Sequence, residues 1–108
     1  MTLYRVRNPQ GISVWLAYVD DELRVWSYVQ NTSMFHLNRG LFLDFNVEHH
    51  NTYEPIDVMT ARSAIHEGLG TLDPKVQGHL ARQFFADSGA RSKADVLGHA
   101  RREDHDAQ

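Results

Sequence analysis

Apolar and polar residues alternate over much of the first 30 positions, and beyond residue 57 the apolar spacing lengthens to that of helices. Residues 3–7 (Leu-Tyr-Arg-Val-Arg) predict a first strand. Asn8-Pro9-Gln10-Gly11 predicts a turn, because proline presets φ and glycine tolerates the exit conformation. Residues 12–19 and 23–30 are rich in aromatic and β-branched side chains and flank the polar trio Asp20-Asp21-Glu22. That is a β-hairpin signature, and it places both tryptophans in one small sheet. Short connections make an antiparallel meander the economical arrangement of these strands.

The pleat then sorts the side chains. A loop made of Asp20, Asp21 and Glu22 sets Val19 opposite Leu23 and Trp15 opposite Ser27. Trp15, Ala17 and Val19 then share a face with Leu23, Val25 and Val29, and this is the expected core face. The other face carries Leu16, Tyr18, Arg24, Trp26 and Tyr28. It is amphipathic and is expected to stay partly exposed; a one-residue slip would invert the choice.

Asn31-Thr32-Ser33 predicts a turn and residues 34–37 a short fourth strand. Asn38 can cap a short helix carrying Leu41, Phe42 and Phe45. Residues 48–54 read as a polar loop. Asp57 caps a helix with Val58, Ala61, Ile65 and Leu69 at helical spacing, ended by Gly68 or Gly70. Asp73-Pro74 starts another, with Val76, Leu80 and Phe84 as its apolar stripe and Ala81 and Phe85 widening it. Ser92 and Asp95 resemble a capping box before Val96, Leu97 and Ala100, and residues 101–108 are expected to fray. The expected architecture is α+β: a three- to four-stranded antiparallel sheet with two or three helices packed on one face. Residues 1–86 would form the domain. Residues 87–108 would be an extension holding a short helix over about 92–102.

Composition narrows the classes. A chain of 108 residues is long enough for one domain with a real core. It has no cysteine, which excludes disulfides, thiolate metal sites and cysteine nucleophiles and suits a cytoplasmic setting. The first residues lack the apolar centre of a signal peptide, and no run is long enough to span a bilayer. Fourteen acidic residues against eleven Lys and Arg argue against nucleic acid as the direct ligand.

Candidate chemistry is sparse. Seven histidines are present, but the adjacent His49 and His50 would point opposite ways in an extended segment. A metal site from His36, Asp44 and His49 is conceivable, yet the bland reading is solvated histidines, and neither metal nor cofactor is expected. No serine sits in a nucleophile elbow, and no glycine-rich phosphate loop is present.

Three functional readings follow. The first is a protein-binding module of inhibitor, antitoxin, immunity or regulatory-adaptor type. Its contact face would be Tyr18, Arg24, Trp26 and Tyr28, since Trp, Tyr and Arg dominate binding hot spots. The second is a small toxin-like ribonuclease or hydrolase using His36, Arg39, Asp44, His49 and His50, with a histidine as base and Arg39 on phosphate. The third is a homodimeric structural module.

Overall fold

The computed structural model describes the backbone of residues 2–106 and the side chains of residues 2–100. Its elements are β1 (Thr2–Arg7), β2 (Ser13–Val19), β3 (Val25–Val29), β4 (Met34–Leu37), α1 (Arg39–Leu43), a π-helical turn (Asp44–Glu48), β5 (Thr52–Ile56), α2 (Val58–His66), α3 (Pro74–Phe85), β6 (Arg91–Ser92) and α4 (Lys93–Asp106). The strands form one antiparallel sheet of six in the order β5-β1-β2-β3-β4-β6.

The expected meander is β1 to β4. The sheet is wider than expected because β5 and the two-residue β6 add to its edges. β5 lies partly where a polar loop was anticipated. It contains Pro55, which an edge strand accepts because its outer side needs no ladder donor.

The β2–β3 register differs from the expected one by two residues. Tyr18 faces Trp26 and Val19 faces Val25. Asp20 causes this by drawing residues 20–24 into the loop. Its Oδ1 accepts the amides of Glu22 (3.0 Å) and Arg24 (2.9 Å), and Leu23 adopts a left-handed φ of 62°. A shift of two keeps the parity, so the sorting of side chains between faces stands.

The burial of those faces does not follow expectation. The face carrying Leu16, Tyr18, Trp26 and Tyr28 is the principal core. Val58 and Ala61 of α2 and Val96, Leu97 and Ala100 of α4 cover it. The reason is α4, which docks along this face and contributes Val96, Leu97 and Ala100 to the core. Its backbone stays helical to Asp106, beyond the expected fraying point; residues 107–108 and the side chain of His105 lie outside the described residues.

The opposite face is covered too, so the helices are not confined to one side. Leu41 of α1 packs with Val6, Ala17, Val19 and Val25. Ala81 and Phe84 of α3 pack with Val29 and Leu72. The chain passes from one face to the other through residues 67–73. Gly70 enables the passage: its φ is 91°, and a Cβ there would sit 2.3 Å from the Tyr28 carbonyl oxygen. α3 begins on Asp73 and Pro74 as anticipated, but Gln77 is non-helical. The kink leaves Val76 81% exposed, so the buried stripe begins later than the spacing suggests.

Among the described residues no helix is long and apolar enough to cross a membrane.

Candidate functional site

The start of α1 lines two clefts on the second face. Asn38 Oδ1 accepts the Leu41 amide at 3.0 Å, the cap expected from sequence, and its Nδ2 donates to Ser27 Oγ at 3.1 Å. One side chain thus caps α1 and pins it to β3. Arg39 and Gly40 are left exposed in the first turn. Two adjoining clefts share Leu37, Asn38 and Arg39. The smaller, about 150 Å³, adds Arg24, Val25 and Phe42. The larger, about 550 Å³, adds Gly40, Leu80, Gln83, Phe84 and Asp87. Leu37 and Phe42 are 46% and 44% exposed, large for apolar groups beside a cleft.

Behind the larger cleft lies a polar chain. His36 is 1% exposed and stacks on Phe84, with ring centroids 4.8 Å apart. Its Nδ1 lies 2.8 Å from Asp87 Oδ2 and its Nε2 lies 2.6 Å from Thr32 Oγ1. An ionised carboxylate only accepts, so Nδ1 carries the proton toward Asp87. In the neutral ring the Thr32 hydroxyl donates to Nε2. In the imidazolium it turns to the Val29 carbonyl, 3.2 Å away. The order hydroxyl, imidazole, carboxylate is that of a nucleophilic triad. Here it ties the end of α3 to the β3–β4 turn, with the imidazole sealed beneath Phe84.

Asp44 anchors the π-turn. Its carboxylate accepts the His50 amide (2.8 Å), the Asn51 amide (3.2 Å) and the Tyr53 hydroxyl (2.6 Å). Burial would raise its pKa, but these donors outweigh burial and hold it below the usual carboxylate range. Tyr53 is shifted upward, first by burial and then by the Asp44 charge it bonds. His49 ends the turn in the left-handed region, φ 56°. His50 is exposed, with Nδ1 3.6 Å from Glu48.

These positions decide what the sequence candidates can do. His36 and Asp44 are each committed to their own partners, Arg39 lines the groove, and His49 and His50 are exposed. The five are not brought together as one acid–base centre. Among the described residues no group of three or more His, Asp or Glu side chains, His36, Asp44 and His49 included, is placed to hold a metal.

The expected contact face is likewise revised. Tyr18, Trp26 and Tyr28 are buried beneath α2 and α4 and offer no surface to a partner. Only Arg24 remains accessible. Its Nε donates to Asp20 Oδ2 at 2.8 Å, and its guanidinium lies 5.8 Å from the Trp26 ring centre. The Trp26 indole donates to the same oxygen at 3.1 Å. Burial would raise the Asp20 pKa, but the bonds from Trp26, Arg24 and Glu22 overcome it, and the net shift is downward.

Leu37 and Phe42 were missed as surface groups because their apolar character reads as core. Thr32 and Asp87 were missed as partners of His36. Asp87 is 51 residues away in sequence, a separation with no local signal.

Comparison of the chain with protein-family models, curated proteins and solved structures gives no match in any of the three.

Proposed function

We propose that this protein is a small protein-binding module, of inhibitor, antitoxin, immunity or regulatory-adaptor type, that receives its partner in the groove between α1 and α3. The observation that carries the reading is the exposure of Leu37 and Phe42 around Arg39. Among the described residues Arg39 has no ion-pair partner, whereas Arg24 beside it is matched by Asp20. An arginine flanked by an aromatic and an aliphatic group, beside a cleft, has the composition of a binding hot spot. Leu43 and Val47 extend the exposed apolar surface along the same segment.

The partner is a protein segment that places an apolar side chain beside Leu37 and Phe42 and a carboxylate on Arg39. The free guanidinium selects the charge, and charge complementarity raises the association rate. The buried core is not at stake in this contact, because none of these three side chains belongs to it.

The test is co-purification from native extract, followed by reconstitution from purified components. The wild type is expected to hold one stoichiometric protein that the Arg39→Ala/Phe42→Ala variant, with an unchanged thermal melt, loses. A partner retained by that variant overturns the assignment. So does a concentration-dependent doubling of mass that the variant abolishes, since it would give the groove to a second copy of the chain.

A further inference from the structure

We propose that the cleft between α2 and α4, on the opposite face from the groove, binds a small phosphate monoester with an apolar body. The cleft has a volume of about 360 Å³ and is lined by Arg62, Ile65, His66, Lys93, Ala94 and Leu97. That volume lies at the small end of the range for small-molecule sites.

The sequence spacing explains the lining. Arg62 and His66 are four apart on α2 and share one helical face with Ile65 between them. Lys93 and Leu97 are four apart on α4. Three cationic or ionisable side chains therefore converge from two helices, and among the described residues no carboxylate lines the cleft. In a chain of net charge −3 this is a local inversion. Among the described residues the side chains of Arg62, His66 and Lys93 have no hydrogen-bond or ion-pair partner. The nearby carboxylate of α4 does not supply one: Asp95 is taken by Arg91 of β6, at 2.9 Å.

Like charges gathered without a counter-ion repel, and an anion relieves that cost. A phosphate monoester suits better than a carboxylate. It carries close to two negative charges and presents three acceptor oxygens to donors arriving from separate directions. The first turn of α4 adds to the attraction, because its Ser92 cap uses the Asp95 amide at 3.1 Å and not those of Lys93 and Ala94. Among the described residues the rest of the lining is apolar. Ile65, Ala94 and Leu97 leave no partner for a second polar group, so the body of the ligand is a short alkyl or aromatic group.

The test uses phenyl phosphate as the probe, followed by amide chemical shifts and by calorimetry on the whole chain. Saturable shifts are expected at residues 62–66 and 93–97. Inorganic phosphate, which lacks the body, and phenol, which lacks the charge, are expected to bind more weakly. Arg62→Gln/Lys93→Gln should weaken phenyl phosphate roughly tenfold or more, as expected for losing charged donors. Both side chains are exposed, so the thermal melt should hold; if that pair fails to fold, His66→Gln is read in the same way. Arg39→Ala should leave the affinity unchanged, which separates this site from the partner groove. Absence of saturable shifts, or an affinity indifferent to the cleft variants, overturns the proposal. Sedimentation with phosphatidic-acid vesicles without any response to phenyl phosphate also overturns it, by assigning the cations to a lipid surface.

Discussion

The two faces of the sheet are closed by different means. Under α2 and α4 the contact is almost wholly apolar, built on Leu16, Tyr18, Trp26, Tyr28 and Phe35. Under α1 and α3 it is interrupted by buried polar groups. Ser27 and His36 lie on that face of the sheet, and Asp44 lies in the segment that covers it. The covering elements explain the contrast. α4 runs for 14 residues and α2 ends on a glycine-bearing turn that returns Leu69 to the core. α1 is five residues long, and α3 is kinked near its start. A short or irregular helix buries too little surface to fix its own position. Directional bonds from Asn38, Asp44 and His36 supply the rest. One face is held by area and the other by geometry.

Trp26→Ala should break the first face. Loss of a buried tryptophan costs about 3–5 kcal/mol. It also deprives Asp20 of a donor and Arg91 of the ring it covers at 5.5 Å. Urea denaturation should show the midpoint fall by an amount large against the whole stability of a small domain. A variant that folds normally would return Trp26 to the surface.

His36→Phe should weaken the second face less, and locally. It preserves an aromatic ring on Phe84 but removes the imidazole that bonds both Thr32 and Asp87, a loss of about 1–3 kcal/mol. Amide hydrogen exchange should accelerate in α3 while α2 and α4 stay protected. Equal acceleration in all three would mean that the two faces do not open separately.

The smallest effect is the acid limb of stability. Asp20 and Asp44 both have folded pKa values below their unfolded ones. Their contribution is therefore fully present above the unfolded value of about 3.9 and is lost as pH falls through the lower folded values. Stability should be flat in this respect from neutral pH down to about 4 and should then decline. Asp44→Asn should lower the plateau and flatten that decline. A decline just as steep in the variant would remove Asp44 from the account.

The sequence alone determined the local parts of this protein. Asn38, Asp57, Asp73 and Ser92 start their helices because a short polar side chain three residues or so from an amide needs no distant partner. The Asn8–Gly11 turn and the strands β1 to β4 were legible for the same reason. Even the division of β2 and β3 side chains between faces followed from parity. Which face is buried did not, because both are rich enough in apolar groups to attract helices, and the answer depends on where α3 and α4 dock. The same holds for the surface. Leu37 and Phe42 stand open because of where α1 is pinned, His36 is buried because Asp87 arrives from 51 residues away, and the α2–α4 cleft exists only once two helices meet. Caps and turns are short-range bonds that a sequence states outright. Exposure and convergence are set by contacts between distant segments, and only the folded chain decides them.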